Sequence, residues 1–249
     1  MTGGSAGSTD GVATVGEQGT QRRGEASSIA ARLVLIAGAT STAGHVAARI
    51  LASEGARVVA VGHDDHKLAA LAVAVPGIGT ELCDLTDEAA VAGLAERVHT
   101  EHGAVDGILH LVGGWRGGGG LAGQTDDDFR FLEGSLTALR HVSRAFDADL
   151  RSSTAGRLAI VSSTAVTRPL AGGANYAAVK AASEAWARAV GQGFAKAARD
   201  AGVPLAAASV IFRVKSLDGV EERLARAFAD LWPAHPASVN DQVIDLSRS

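Results

Sequence analysis

The stretch from Arg32 to Leu51 limits the fold more than any other. Arg32-Leu33-Val34-Leu35-Ile36-Ala37 is an apolar run of strand length, and it leads directly into Gly38-Ala39-Thr40-Ser41-Thr42-Ala43-Gly44. After that turn, Val46, Ile50 and Leu51 share one helical face, and Gly55 closes the helix. A strand that is apolar at nearly every position is covered on both faces, as in a parallel sheet. A glycine-bearing turn from strand into helix also presents backbone N–H groups and a positive dipole end to an anion such as a pyrophosphate.

The unit repeats along the chain. Further strands are expected at Arg57–Val61, Glu81–Thr86, Val105–Gly113, Leu158–Val161 and Pro204–Phe212, with an edge strand at Gln242–Leu246. Between them, Val91, Leu94, Ala95 and Val98 recur at helical spacing. So do Phe131, Leu132, Leu136, Leu139, Val142 and Phe146, behind the N-terminal signal Thr125-Asp126-Asp127-Asp128. A shorter helix is expected from about Val220 to Leu231. Strand–helix alternation of this kind gives an α/β fold, one doubly wound domain with a mostly parallel sheet of about seven strands. The domain is expected over residues 29–249. Residues 1–28 are rich in Gly, Ser and Thr and poor in large apolar side chains, so they are read as a disordered tail.

Charge and cysteine usage narrow the function classes. A net charge of −4 offers no basic footprint for nucleic acid. The one cysteine, Cys83, allows no internal disulfide and suits a reducing compartment. No apolar run is long enough to span a membrane, and the N-terminus has no secretory apolar core, so a cytoplasmic location is expected. No metal is expected: His63 and His66 stand three apart without a third ligand.

The chemistry concentrates between Ser162 and Lys180. Ser163 follows the apolar run of the fifth strand. Tyr176 is the only tyrosine, and Lys180 stands one helical turn beyond it on the same face. A phenol beside an ammonium, with a hydroxyl at a strand end, can move a proton to or from a carbonyl oxygen. On this spacing, charge proximity is expected to lower the pKa of Tyr176.

These residues, with the glycine turn, resemble the short-chain dehydrogenase/reductase family from about Arg32 to the C-terminus. The resemblance implies a Rossmann-type fold and an NAD- or NADP-dependent oxidoreductase acting on a small carbonyl/alcohol substrate. It makes Ser163, Tyr176 and Lys180 catalytic, with Lys180 also holding the nicotinamide ribose. Cofactor contacts are implied at Gly38, Thr40, Ser41, Thr42, Gly44, His63, Asp84 and Gly113. Asp84 matches the residue that holds the adenine amine, and a helix-starting aspartate is the competing reading. A homodimer or homotetramer, built on the Ala-rich catalytic helix and the helix before it, is implied as well.

The chain departs from the family at several points. Thr42 takes the place of the middle glycine, where its hydroxyl could donate to phosphate or cap the helix. His110-Leu111-Val112-Gly113 replaces Asn-Asn-Ala-Gly, with His110 read as a core histidine. Ser135 stands where an asparagine usually completes a proton relay to Lys180. Val210-Ile211 is read as filling the place of the Pro-Gly turn, and Arg213 and Lys215 beyond it either reach an anion or lie in solvent. Asp64 and Asp65 after the second strand, with a neutral Ser41, tilt the choice toward NAD and leave NADP open. The run Gly113-Gly114-Trp115-Arg116-Gly117-Gly118-Gly119-Gly120 is similar to a segment of dihydropteridine reductases. Two other readings therefore stay open, a pteridine-like C=N reductase and a non-catalytic nucleotide-binding or scaffold protein.

Overall fold

The computed structural model describes residues 1–2 and 28–247. Most of the segment expected to be a disordered tail lies outside the described residues. The core begins at Ile29, which is buried.

In chain order the elements are β1 (Leu33–Ala37), α1 (Thr42–Ser53), β2 (Arg57–Gly62), α2 (Asp65–Ala74), β3 (Gly79–Leu82), α3 (Glu88–Glu101) and β4 (Gly107–His110). Then come α4 (Asp126–Ala145), α5 (Asp147–Ser152), β5 (Arg157–Ser163), α6 (Ala174–Asp200), β6 (Ala208–Val214), α7 (Glu221–Ala229), α8 (Pro236–Val239) and β7 (Gln242–Asp245). The strands form one sheet in the order β3-β2-β1-β4-β5-β6-β7. Every pairing is parallel. The winding direction reverses between β1 and β4, and the crevice at the carboxyl ends of those strands is where a doubly wound sheet holds ligands.

Alternation along β1 shows why its whole run is apolar. Val34 and Ile36 pack with α1, α2 and α7 on one face. Leu33, Leu35 and Ala37 pack with α3, α4 and α6 on the other. Among the described residues, no helix is long and apolar enough to cross a membrane.

Two strands differ from expectation in ways that matter to the site. β3 ends at Leu82, so Cys83 and Asp84 follow the sheet rather than belong to it. β6 starts at Ala208 and runs to Val214, four residues later than expected at its start. The buried Arg157 guanidinium takes the Ala206 carbonyl at 2.9 Å, along with those of Gly156, Leu231 and Ala234, which holds the residues before Ala208 out of the ladder. In the resulting register Ser162 faces Arg213 and Ser163 faces Val214. Arg213-Val214, not Val210-Ile211, therefore stands beside the Ser163 end of β5.

Candidate active site

The glycine turn owes its shape to two close approaches. Gly38 has φ of +84°, and a Cβ there would lie 2.9 Å from the Val112 nitrogen. A Cβ on Gly44 would lie 2.3 Å from the Ala39 carbonyl oxygen. The helix cap is Ser41, not Thr42: its Oγ accepts from the Gly44 N–H at 3.1 Å and donates to the Gly38 carbonyl at 3.0 Å. The N–H groups of Thr42 and Ala43 in the same turn have no acceptor among the described residues.

Two cavities meet at the ends of β1 and β4. One, of about 550 Å³, is lined by Gly38, Thr40, Ser41, His63, Lys67 and Asp84, among others. The other, of about 970 Å³, is lined by Ser163, Tyr176 and Lys180. Ser41, Leu111, Val112 and Gly113 border both. Thr42 and Gly44 line neither.

The two aspartates that tilted the cofactor choice point elsewhere. Asp64 caps α2 by accepting from the Lys67 N–H at 3.1 Å, which lowers its pKa, and neither Asp64 nor Asp65 lines the smaller cavity. Asp84 accepts from Thr86 through both its N–H and its hydroxyl, and these bonds hold its carboxyl below the usual range. It does not start α3; Asp87 does, by accepting from Ala89 and Ala90.

Beside the larger cavity, the Lys180 ammonium donates to the Val161 carbonyl at 2.8 Å and lies 5.8 Å from the centre of the Tyr176 ring. Burial pulls its pKa down to about 8, and the Glu184 charge opposes that pull. The phenol departs from the expectation of a lowered pKa. Burial raises the pKa of Tyr176, and only hydrogen bonding with Ser163 acts in the other direction. Helical spacing placed the lysine 5.8 Å from the ring centre, where it does not offset the phenol's withdrawal from water.

Behind this group sits a buried ion pair. Glu184, one turn beyond Lys180, accepts from Ser162 Oγ at 2.7 Å and takes both Arg213 donors, at 2.8 and 2.6 Å. Arg213 is therefore neither solvated nor free for a phosphate. The acid four residues past Lys180 was the sequence signal for this pair.

The relay position is rearranged. The Ser135 hydroxyl donates to its own helix at Leu132, and its carbonyl faces His110 Nε2 at 3.3 Å. The proton of neutral His110 must therefore be on Nε2, and Nδ1 is buried without a partner among the described residues. Burial and the Lys180 charge lower the pKa of His110 to about 4. Below pH 6.5 the unfolded chain gains this proton while the folded chain does not until about pH 4. Stability is thus lost as pH falls through that window, by about 2 kcal/mol at pH 5 and about 3 kcal/mol at pH 4. In His110→Leu, the drop in melting temperature between pH 7 and pH 5 should shrink accordingly. An unchanged drop would assign the acid sensitivity to other groups.

The glycine run is anchored. Gly118 N–H donates to the Gly172 carbonyl at 2.7 Å. The Gln124 side-chain amide donates to the carbonyls of Gly118, Gly120 and Gly172, and its oxygen accepts from the Asn175 N–H. Nothing in the sequence marked Gln124 as this tie. Trp115 borders the larger cavity, whereas Arg116 stacks over Phe131 at 3.9 Å and lies near Asp128. Phe131, expected on the buried face of α4, is half exposed beneath that guanidinium.

Away from the cleft, Glu81, Glu101 and His102 bring ligand atoms within 4.8 Å of one another, a grouping that sequence spacing does not reveal. The Glu81 carboxylate is already held by Arg97 at 2.8 Å.

Comparison with known proteins fits this arrangement. Residues 32–199 match the short chain dehydrogenase family. The chain is 29% identical over 169 residues to a 3beta-hydroxysteroid dehydrogenase of Mediterraneibacter gnavus, covering 66% of this chain and 61% of that protein. It is 26% identical over 171 residues to a 2,3-dihydro-2,3-dihydroxybenzoate dehydrogenase of Bacillus subtilis, covering 67% and 65%. The matched segments thus span less than two thirds of these relatives. Among solved structures, a metagenomic short-chain oxidoreductase in complex with NADP superposes with a TM-score of 0.73 at 25% identity, over 89% of this chain and 99% of that one. NAD+-bound xylitol dehydrogenase superposes at 0.75 with 17% identity, over 89% and 99%, a likeness of fold. The family match runs from β1 to the end of α6 and takes in Ser163, Tyr176 and Lys180, so the chain belongs to the short chain dehydrogenase family.

Proposed function

We propose that the chain interconverts a carbonyl compound and its alcohol with a nicotinamide dinucleotide. The observation that supports this best is that Ser163, Tyr176 and Lys180 border one cavity, which joins the glycine-turn cavity through Ser41 and Leu111 to Gly113. The residues present fit such a cofactor. First-turn N–H groups of α1 are left for the pyrophosphate, and Asp84 borders the adenosine end. Gly113 borders both cavities, at the junction where the nicotinamide half would pass.

When bound, the nicotinamide supplies or accepts the hydride. The chain does the rest. Ser163 Oγ orients the substrate oxygen, and Tyr176 gives that oxygen its proton. A phenol whose pKa is raised stays protonated at neutral pH, the state in which it can donate to the substrate oxygen. The Lys180 ammonium holds the ribose and loses its charge as pH rises past about 8.

For the adenosine end we favour NADP over the NAD suggested by sequence. Lys67 and His63 border the cavity, and the Asp64 carboxylate that caps α2 is countered by the Lys67 ammonium at 3.7 Å, which a 2′-phosphate would draw away. NADPH should therefore bind more tightly than NADH, and Lys67→Glu should cut the NADPH affinity about tenfold while sparing NADH. Titration of each cofactor, followed by tryptophan-to-nicotinamide energy transfer, checks this. Tighter NADH binding reverses the cofactor assignment, and no binding of either removes the oxidoreductase reading.

A further inference from the structure

We propose that the carbonyl substrate carries its own anionic group on an apolar body, an aryl or alkyl keto acid being the simplest form. This deepens the oxidoreductase reading and rests on it.

The larger cavity is lined by three cationic side chains, Arg168, Lys180 and Lys215, and by no acidic one. The chain as a whole carries net −4, so an acid-free lining is not the average of its surface. The state of these cations is more telling. Among the described residues, nearly every lysine and arginine has a hydrogen bond, ion pair or ring contact. Arg168, Arg199 and Lys215 have none, and two of these three face this one cavity. Lys180 is committed to Val161. The side chains of Arg168 and Lys215 are both exposed, and it is their convergence on one concave, partly apolar and acid-free wall that makes them a recognition element for an anion.

The position of Arg168 separates a substrate anion from the cofactor phosphates. Arg168 lies on the segment between Ser163 and Tyr176, beside the proton-transfer group. Lys215 directly follows Val214 at the end of β6, next to Ser163 in register. Neither lines the glycine-turn cavity, where the pyrophosphate belongs.

The apolar half of the ligand follows from the same wall. Trp115 is 61% exposed and Leu170 is 73% exposed, and both border the cavity. Large apolar side chains left bare at a cavity mouth mark a surface that a ligand covers. A flat or alkyl body against Trp115 and Leu170, with its carboxylate at Arg168 and Lys215, satisfies both features at once.

The test compares molecules that differ only in charge: para-acetylbenzoate with its methyl ester, and levulinate with its methyl ester. Binding to the full chain is measured by calorimetry, with and without NADPH. At least one acid should bind about tenfold more tightly than its ester, a gap that narrows when salt is raised to about 0.5 M. Arg168→Gln and Lys215→Gln should each weaken the acid about threefold and leave the ester unchanged, and the double variant should erase the preference. If neither acid outbinds its ester, or if the variants weaken acid and ester alike, the proposal is overturned. Because the preference is read as binding without cofactor as well, it is decided even if both cofactors fail to bind, an outcome that counts against the oxidoreductase reading instead.

Discussion

Replacing Tyr176 with phenylalanine should lower carbonyl reduction about a thousandfold and leave cofactor affinity unchanged. The substitution removes one oxygen, the proton donor, and keeps the ring that packs beside Lys180. The Lys180–Val161 hydrogen bond does not involve the phenol and should persist. Steady-state rates on an accepted ketone, with cofactor titration in parallel, separate the two effects. The same residue offers a spectroscopic check, since it is the only tyrosine. Burial raises its pKa, so the ultraviolet signature of the phenolate should emerge above the ordinary value of about 10 and vanish in Tyr176→Phe. A Phe variant with full turnover would refute the assigned role, and a phenol titrating below that value would show that charge outweighs burial at the site.

Removing Glu184 should produce the largest loss of stability. Its side chain is 5% exposed and answers two groups, Arg213 and the Ser162 hydroxyl. Glu184→Ala strips a largely buried guanidinium of its hydrogen-bonded carboxylate and leaves it only the field of Asp245, which costs about 3 kcal/mol. For a chain of this size that corresponds to a fall in melting temperature of about 10 °C. Arg213→Leu added to Glu184→Ala should regain part of the loss, because the stranded charge is gone. A second reading belongs to function. Glu184 holds the pKa of Lys180 up against burial. Without it, the alkaline limb of the rate profile should move to lower pH. A stability loss with an unmoved alkaline limb would leave Glu184 a purely structural group.

The layered architecture was legible because both faces of the central strands are covered. Continuous apolar runs such as Leu33–Ala37 and Leu158–Val161 leave little else for the chain to do. The turn at Gly38 and Gly44 was legible for the same reason that it is needed: backbone approaches there exclude a Cβ. Strand limits were less so. Residues 205–207 look like strand by composition, but the position of β6 is set by Arg157 capturing the Ala206 carbonyl, a contact between distant residues. Charge roles were the least legible. Asp64 looked like a cofactor selector because the position matched, whereas the helix it starts claims its carboxylate. The pKa of Tyr176 was misjudged because burial does not show in spacing. Arg168 gave no signal at all. It is a lone arginine in a loop, and its meaning comes from the wall it joins.

The Gln124 amide has a mechanical consequence. By gripping Gly118, Gly120 and Gly172 and receiving Asn175, it welds the glycine run to the backbone one residue before Tyr176. The glycine run cannot swing outward without dragging the start of α6 along. That bank of the cleft therefore behaves as a fixed jamb. The opposite bank, from Lys215 to Val220, is held by the bonds of Asp218 to Ser216 and of Val220 to Leu217, and by Leu217 and Val220 packing against the core.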